Sequence, residues 1–497
     1  MVQESDDIEK KSPSLAVIIA AGQGTRLRDS TGDDALIKPI SPLMGVPIIV
    51  RVLRTMMKAG VRKAVVVTGY EGGKLESFLK DDKRLSGLEL VFARNDDWQK
   101  SNGLSVLAAR EAAGDDNFFL SMADHIYSIE LIEALKQRQP VDGGLVLAVD
   151  RRVHDLSDPD DAMWVRIGGD KGILRISKDL TEYDCVDCGV FSCTPGLFDA
   201  LESAKKENNG DCALKDGVQK LADRHKAFTA DIGDAWWQDI DTFQDLKEAE
   251  KKLLRSLRKP IDGIVARNIN RYISLPISGW LVKHTNATPN QMSILCVLIS
   301  LVAAALVAFS KGSYFQVLAG AALMQFSSIF DGVDGELARL KYDFSPSGEW
   351  IDTIGDDISN YSYVAAITYM AYTSGNWQAL LAPLGVVALV GYAVAIPLAY
   401  SYIIMYTDSG DVMAVDYDFN KGDKSFEDLR WWVRLLARLK YVTKRDFFIF
   451  IFFVFALFGV LVLALPFAAI GAVSVALAAF SQHIKKLKKL REEEERR

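Results

Sequence analysis

The hydrophobic positions divide the chain into two halves that differ in pattern. Up to about residue 259, short apolar runs alternate with charged and glycine-containing stretches, as in a soluble protein. From about residue 290 onward, long apolar stretches follow one another. Runs of about 20 apolar residues are long enough to cross a bilayer. This division predicts a soluble domain followed by an all-α polytopic membrane domain.

The order of elements in the soluble half indicates alternating strands and helices. An apolar run at Leu15–Ala20 is followed by a glycine-rich loop, an amphipathic helix around residues 50–59 and a second apolar strand at 64–68. This βαβ order predicts an α/β domain with a Rossmann-like, mostly parallel sheet and helices on both of its faces.

Two helices are predicted between the halves. The stretch "DTFQDLKEAEKKLLRSLRKPID" has helical spacing and few glycines or serines, so it reads as a connecting helix rather than a flexible linker. The stretch "IVARNINRYISLPISGWLVKH" predicts an amphipathic helix on the inner membrane surface. The predicted boundaries are an N-terminal tail at 1–14, the soluble domain at 15–250, the connecting and juxtamembrane helices at 251–288 and the membrane domain at 289–497.

The membrane half is predicted to cross the bilayer six times. Its segments start near residues 290, 314, 348, 377, 446 and 466. Positive charge is concentrated in "RLK", "RWWVRLLARLKYVTKR" and "IKKLKKLR", which places these loops and both ends of the membrane domain in the cytoplasm. The N-terminal "MVQESDDIEKK" lacks the apolar core of a signal peptide, so the soluble half is expected on the same side. The predicted location is the cell membrane.

Charge and cysteine content narrow the possible partners. The net charge of -7, without a basic stripe, argues against nucleic acid as a partner. Three of the five cysteines cluster at Cys185, Cys188 and Cys193. A structural zinc site usually has four ligands, and no nearby histidine completes this set, so reduced thiols are favoured over a metal site.

The glycine-rich loop is a candidate phosphate site. Gly22 and Gly24 allow the backbone to approach phosphate closely, and Arg26 and Lys38 supply positive charge for a leaving pyrophosphate. The glycine spacing is wrong for a dinucleotide fingerprint, and the loop lacks the ending of a P-loop. Such a loop alone is also typical of an ordinary tight turn between a strand and a helix.

The full string "AAGQGTRL", with "KP" at 38–39 and "GVPII" from Gly45, resembles the sugar-phosphate nucleotidyltransferase family over most of residues 15–250. Members join a nucleoside triphosphate to a phosphorylated sugar or alcohol and release pyrophosphate. The resemblance implies catalytic roles for Arg26 and Lys38. It also implies a nucleotide site formed by Ala20, Gly22, Gly24 and Thr25.

Other roles in the soluble half also follow from this resemblance. "FFLSMADHIY" places Asp124 at a magnesium-binding position, and "WWQDIDTFQDLKEAE" makes Asp241 the second ligand, with Asp239 a weaker candidate. "NDDWQKSNGLSVLAA" matches the segment that reads the nucleobase, which makes Asn102 and Gly103 candidate contacts. For Lys178, an acceptor-phosphate contact and a solvated surface lysine remain open alternatives.

Four aspartates interrupt the apolar pattern of the membrane half. Asp331 and Asp334 are three residues apart on one predicted helix, and Asp352 and Asp356 are four apart on the next, so each pair shares a helix face. A carboxylate at the centre of a membrane helix costs about 3 kcal/mol, so chance placement is a poor explanation. The two helices are expected to be neighbours, so the four carboxylates would converge and repel one another. Two divalent cations would remove this repulsion and could clamp the oxygens of a phosphoryl transfer. A structural salt-bridge network using Arg339, or an ion pathway, is the alternative.

The spacing D-x2-D-G-x2-A-R-x8-G-x3-D-x3-D is similar to the signature of the CDP-alcohol phosphotransferase family at every position. The resemblance implies two metal ions held by the four aspartates, with Asp331 and Asp352 bridging and Asp356 also acting as general base. It implies that Gly335 and Ala338 are small to admit cytidine and that Arg339 supports the diphosphate or the aspartates. It further implies a nucleotide contact at Asn290, in "TPNQMS", and a homodimer through the membrane domain.

The pairing of the two halves resembles the bifunctional enzymes that make CDP-inositol from CTP and inositol-1-phosphate and then transfer its inositol phosphate to a second inositol-1-phosphate. These enzymes serve osmolyte synthesis. The resemblance implies Mg²⁺ or Mn²⁺ as cofactor, one ion in the soluble domain and two in the membrane domain. Two alternatives remain: a membrane half that transfers to a lipid acceptor in phospholipid synthesis, or one that acts as a transporter or anchor.

Overall fold

The structure is a computed structural model that describes residues 12–155, 159–258, 262–406 and 445–495. The chain forms two compact units, residues 1–256 and 257–497. Three features of the sequence analysis lie outside the described residues. They are the acidic stretch 1–11, the end of the connecting segment at 259–261 and the basic stretch "RWWVRLLARLKYVTK" at 430–444.

The first unit is built on a nine-stranded sheet in the order β10-β9-β11-β6-β1-β4-β5, with β8 pairing with both β11 and β12. The strands of this unit, including two separate short pairs, are β1 Leu15–Ala20, β2 Pro42–Leu43, β3 Val46–Pro47, β4 Lys63–Thr68, β5 Glu89–Arg94, β6 Phe118–Met122, β7 His125–Tyr127, β8 Leu145–Asp150, β9 Trp164–Ile167, β10 Ile173–Ser177, β11 Cys185–Cys193, β12 Ala227–Asp231 and β13 Trp237–Asp239.

The sheet is mixed rather than mostly parallel. Strand β1 lies between β4 and β6, and both neighbours run parallel to it, as the βαβ order predicts. Around β11 the pairing becomes antiparallel, since β6, β8 and β9 all run opposite to that strand. All six residues of β1 are buried, so this strand forms the centre of the core and fixes the start of the glycine-rich loop.

Nine α-helices belong to the described part of the first unit: α1 Thr25–Thr31, α2 Ile48–Lys58, α3 Gly72–Asp81, α4 Asn102–Ala108, α5 Arg110–Ala113, α6 Ile129–Lys136, α7 Gly196–Glu207, α8 Leu214–Asp223 and α9 Phe243–Ser256. The predicted helix at 50–59 is α2, which buries a full apolar face. The predicted connecting helix corresponds to α9.

All five cysteines are free and buried. Strand β11 carries three of them in the core of the sheet, at Cys185, Cys188 and Cys193. Burial raises the pKa of the Cys185 thiol to about 12. Among the described residues, the side-chain groups with metal-binding geometry contain no cysteine. The cluster is therefore explained by core packing.

The second unit is helical. Its described α-helices are α10 Arg271–His284, α11 Pro289–Ala308, α12 Tyr314–Lys341, α13 Pro346–Thr373, α14 Ala382–Tyr406, α15 Arg445–Leu457 and α16 Ala464–Glu495. A π-helical turn at Ala266–Asn270 precedes α10, and a 3-10 turn at Trp377–Leu381 precedes α14.

Three helical stretches of the described chain are long and apolar enough to cross a membrane: Pro289–Ala308, Trp377–Met405 and Leu461–Lys488. Six spans were predicted. Helices α12 and α13 are each 28 residues long but carry the four aspartates, and α15 has only 13 residues. By length and hydropathy alone, these three helices are therefore not recognised as membrane spans.

Candidate active sites

The glycine-rich loop connects the end of β1 to α1. Gly24 has φ +67°, in the left-handed region that favours glycine, and caps α1 immediately before Thr25. A Cβ atom added to Gly24 would lie 2.6 Å from Cβ of Lys38, so the loop and Lys38 pack without space for a side chain. Gly22 faces open space in the adjoining cleft. The loop geometry therefore brings a side-chain-free backbone next to Lys38.

Lys38 lies at the centre of a group of carboxylates. Its side chain is buried, and Nζ is 2.6 Å from Oδ2 of Asp124 and 2.8 Å from Oδ1 of Asp241. Burial alone would lower the pKa of Lys38, but the carboxylates of Asp124, Asp239 and Asp241 raise it well above its usual range. Lys38 therefore carries a fixed positive charge.

Asp124, His125 and Asp239 form a potential metal-binding group. Their ligand atoms lie within 4.8 Å of one another. His125 Nδ1 is 3.0 Å from Oδ1 of Asp124, and its ring stacks on that of Trp237. Burial raises the pKa of Asp239 to about 7, and Oδ1 of Asp239 is buried without a hydrogen-bond partner in the described residues. An unpartnered carboxylate oxygen beside a second carboxylate fits a Mg²⁺ or Mn²⁺ ligand set.

The positions of the predicted metal ligands in the structure thus differ from those expected from the sequence. Asp239, the weaker candidate, lies in the potential ligand group with Asp124, whereas Asp241 pairs with Lys38 and, at 2.7 Å, with Arg26 Nη2. His125 was not singled out from the sequence, although it directly follows Asp124. The adjacency of a histidine to a predicted ligand was the available signal.

Arg26 and Lys178 meet through a common partner, Asp161. Arg26 Nη1 is 2.5 Å from Oδ2 of Asp161, and Lys178 contacts Oδ1 of the same carboxylate. All three side chains line one cleft of about 1290 Å³, together with Asp124, Asp239 and Asp241. Lys178 is thus a cleft residue. Asp161 was missed because nothing in its local sequence marks it.

Asn102 and Gly103, the predicted nucleobase contacts, connect α4 to the segment before α8. Asn102 Oδ1 accepts a hydrogen bond of 2.9 Å from Leu214 N, and a Cβ on Gly103 would lie 2.5 Å from the carbonyl oxygen of Cys212. Asn102 also lines the cleft. Both residues therefore have packing roles, and their contact with a nucleobase stays a prediction.

In the second unit, the four aspartates lie on two helices. Asp331 and Asp334 belong to α12, and Asp352 and Asp356 belong to α13. Carboxylate oxygens of Asp331, Asp352 and Asp356 lie within 4.8 Å of one another. Asp334 is more deeply buried and is held separately, since it accepts hydrogen bonds of 2.5 Å from Ser293 Oγ and from Gly335 N. Three of the four carboxylates predicted to converge thus form one group, and Asp334 is not part of it.

Within the described part of the second unit, the guanidinium of Arg445 contacts this cluster. Arg445, the first residue of α15, has Nη1 at 3.0 Å from Oδ1 of Asp331 and in contact with Oδ1 of Asp356. Its Nε donates to Asn360 at 3.1 Å. An internal cation between two of the carboxylates shows that the arrangement favours positive charge, and oxygen-only donors are the ligands that Mg²⁺ and Mn²⁺ prefer.

The other predicted residues of the membrane motif surround these aspartates. Thr288 and Gln291 form a capping box at the start of α11, and Asn290 in the same turn approaches α13 so closely that a Cβ on Gly348 would lie 2.8 Å from its Oδ1. A Cβ on Gly335 would lie 3.3 Å from Nη1 of Arg339. Gly348 thus permits a close contact between α11 and α13, whereas Gly335 leaves room for a side chain of its own helix.

Within the described ranges, Arg339 forms no salt bridge, which was the structural alternative. Its Nε is buried without a hydrogen-bond partner among the residues that the structure describes, and Ala338 beside it is partly buried. Of the described cations, Arg445 contacts the aspartates. An orphaned guanidinium nitrogen one helical turn from Gly335 fits an anion contact.

Comparisons with known proteins match each of the two units to a family. Residues 15–256 match the family described as nucleotidyl transferase, and residues 286–481 match the CDP-alcohol phosphatidyltransferase family. A solved structure, the inositol-1-phosphate CTP transferase from T. maritima, is 27% identical over 48% of this chain and 94% of its own, with a TM-score of 0.43.

Curated relatives carry both regions in one chain. A bifunctional IPC transferase and DIPP synthase from Thermococcus kodakarensis is 33% identical, covering 77% of this chain and 82% of that protein. Proteins with the same name from Rubrobacter xylanophilus and Aquifex aeolicus are 31% and 30% identical, with 84% and 76% of their lengths covered. The chain belongs to the family of bifunctional IPC transferases and DIPP synthases.

Proposed function

We propose that the chain catalyses two consecutive reactions. The first forms CDP-inositol from CTP and inositol-1-phosphate, and the second transfers the inositol phosphate of CDP-inositol to another inositol-1-phosphate. The product is a phosphorylated di-inositol phosphodiester, a precursor in osmolyte synthesis. The supporting observation is that one chain carries both acidic sites and is at least 30% identical over most of its length to relatives named for two such activities.

In the first reaction, an oxygen of inositol-1-phosphate attacks the α-phosphorus of CTP. The bond from that phosphorus to the bridging oxygen breaks, and pyrophosphate leaves. Lys38 and Arg26 stabilise the charge that develops on pyrophosphate, because both are cationic side chains beside the glycine-rich loop. The nucleotide contacts are assigned to Ala20, Gly22, Gly24, Thr25, Asn102 and Gly103, and the acceptor phosphate contact to Lys178.

Replacing Gly24 with alanine should lower the rate of pyrophosphate release at least about tenfold, since the new Cβ would displace Lys38. A left-handed backbone also costs a non-glycine residue about 1–2 kcal/mol. Coupled detection of pyrophosphate measures the first effect and thermal unfolding the second. Gly73→Ala is the matched control, because a Cβ there meets nothing within 4 Å. Equal rates in both variants would contradict the assigned role of the loop.

In the second reaction, a hydroxyl of the acceptor inositol-1-phosphate attacks the phosphorus that bears the inositol. The bond from that phosphorus to the bridging oxygen breaks, and CMP leaves. Asp356 accepts the proton of the attacking hydroxyl, since it lies in the carboxylate cluster together with Asp331 and Asp352. Asn290, Gly335, Ala338 and Arg339 are assigned to the nucleotide.

Divalent cations complete both sites in this proposal. One Mg²⁺ or Mn²⁺ would be held in the soluble unit by Asp124 with Asp239 or Asp241. Two would be held in the membrane unit by Asp331, Asp334, Asp352 and Asp356. When bound, they neutralise phosphate oxygens and the oxygens that attack and leave. Removal of metal by a chelator should therefore stop both reactions.

The proposed setting is the cell membrane. Residues 15–250 form the cytoplasmic catalytic domain, residues 251–288 connect it to the bilayer, and residues 289–497 cross the bilayer six times, with both termini in the cytoplasm. Helices α12, α13 and α15 would be the three spans beyond the apolar stretches, and their acidic residues would face the site rather than lipid. We assign the contacts of a homodimer to the membrane domain.

A lipid-free assay tests the acceptor. The purified protein in detergent is given CTP, Mg²⁺ and labelled inositol-1-phosphate, and the aqueous phase is analysed for phosphodiester. We expect a labelled water-soluble product and release of CMP, because the acceptor is a soluble phosphate ester.

The control for this assay adds phospholipid vesicles without any other change. Product that forms only with lipid, and partitions with it, would contradict the soluble acceptor and favour transfer to a lipid. Release of pyrophosphate without CMP under both conditions would contradict the second reaction altogether.

A further inference from the structure

A buried polar network joins the juxtamembrane helix α10 to α12 beside the metal-site aspartates. Its centre is Glu336, which is completely buried. Glu336 Oε1 accepts hydrogen bonds from Arg271 Nη1 at 2.5 Å and from Ser274 Oγ at 2.6 Å, and Oε2 accepts one from Ser278 Oγ at 2.5 Å. Asp262 binds the other side of the same guanidinium, at 2.9 and 3.1 Å.

This network shows which side of α10 packs against α12. The sequence predicts an amphipathic helix on the inner membrane surface. In the structure, Arg271, Ser274 and Ser278 have helical spacing, and both serines are fully buried, so the polar stripe faces α12. The exposed side chains of α10 include Tyr272 and Trp280, at 61% and 57% of their surface. The helix thus contacts its neighbour through buried polar side chains, in addition to the buried apolar residues Leu275 and Val282 of the same helix.

A glycine on α12, Gly332, leaves space for the guanidinium of Arg271. Arg271 Nη1 also donates to the carbonyl oxygen of Gly332 at 3.3 Å, and a Cβ on Gly332 would lie 2.7 Å from that nitrogen. Gly332 lies between Asp331 and Asp334, and Glu336 follows two residues after Asp334. The network therefore contacts the same turns of α12 that carry two of the four aspartates.

A buried ion pair is weak evidence for stability, since hydrophobic replacements are often neutral or stabilising. However, the hydrogen bonds of such a pair fix how one helix is rotated about its axis, and shifted along it, relative to the neighbouring helix. We propose that Glu336 and Arg271 are positioning residues, which hold α12 so that Asp331 and Asp334 present their carboxylates to the cations of the membrane site. This inference rests on the proposed phosphotransfer, and it adds Glu336, which lies at a variable position of the metal-binding signature, and Arg271, which lies outside it.

The test is Glu336→Gln in the full-length protein, which keeps the shape but removes the charge and one acceptor. Binding of Mn²⁺ is measured by calorimetric titration in a background carrying Asp124→Asn, so that the membrane unit dominates the signal. We expect about tenfold weaker Mn²⁺ binding, as is typical when a residue that orients metal ligands is lost. In the chain without the Asp124 change, kcat for CMP release should fall about tenfold, with pyrophosphate release unchanged.

Asp343→Asn is the matched control, because it removes an exposed carboxylate two residues beyond the end of the same helix. A lower melting temperature with normal Mn²⁺ binding and normal kcat in Glu336→Gln would show a purely structural role and overturn the inference. If that variant fails to fold, Gly332→Ala displaces Arg271 without changing any charge. Unaltered Mn²⁺ binding in Gly332→Ala would overturn the inference equally. Absence of Mn²⁺ binding in the parent protein would instead overturn the proposed function and the inference together.

Discussion

Substitution of Asp356 by asparagine is expected to reduce CMP release from CDP-inositol by about a thousandfold, the scale of a lost general base. The change removes the proposed proton acceptor and one charge from the cluster that Asp356 forms with Asp331 and Asp352. Formation of CDP-inositol should continue at the parental rate, because that reaction belongs to the other compact unit. Chromatographic separation of CMP, CDP-inositol and pyrophosphate in one assay measures both steps.

The neighbouring carboxylate provides the control. Asp357 is also on α13, but it accepts a hydrogen bond of 2.6 Å from Tyr400 Oη instead of joining the cluster. Asp357→Asn should therefore retain far more of the CMP release. Parental CMP release in Asp356→Asn would refute the role of Asp356 as proton acceptor, whereas an altered ion flux in vesicles, with no CMP release from the parent protein, would support a transporter.

Replacement of Lys38 by methionine should have the opposite selectivity. Pyrophosphate release from CTP is expected to fall by about a hundredfold to a thousandfold, the usual cost of losing one preorganised stabiliser of developing negative charge. Asp124 and Asp241 would also lose the ammonium group that both now contact. The second reaction, assayed with CDP-inositol supplied, should be unaffected.

The control for this variant is Lys220→Met. Lys220 pairs with Glu207 at 2.7 Å on the surface and does not line the cleft. Parental pyrophosphate release is expected in Lys220→Met. If Lys38→Met also kept parental release, the glycine-rich loop and its lysine would have to be reassigned to a non-catalytic role.

Local sequence patterns predicted the parts of the two sites whose residues lie close together in the chain. The apolar run of β1 fixes where the glycine-rich loop begins, and the spacing of Asp331, Asp334, Asp352 and Asp356 places each pair on one helix face. The parallel pairing of β1 with β4 and β6 follows from the same local order. The antiparallel half of the sheet was not predicted, because pairing to β11 depends on strands that are distant in the chain.

Contacts that depend on sequence-distant partners were missed. Asp161 joins Arg26 and Lys178 across 135 and 17 residues, and Glu336 meets Arg271 across 65. No periodicity identifies such partners, since Asp161 and Glu336 lie among other charged residues and their local sequence does not set them apart. The choice between Asp239 and Asp241 had the same difficulty. The two residues flank a single buried isoleucine, and only the fold shows that Asp239 lies beside His125 while Asp241 lies beside Lys38 and Arg26.

The enclosed thiols have a practical consequence. Because every native cysteine is buried, alkylating probes have little access to the folded chain. A single cysteine introduced on an exposed surface could then carry a fluorophore or spin label without removal of the native ones. Distances between labels on the two compact units would report how the cytidylylated intermediate travels from one catalytic centre to the other.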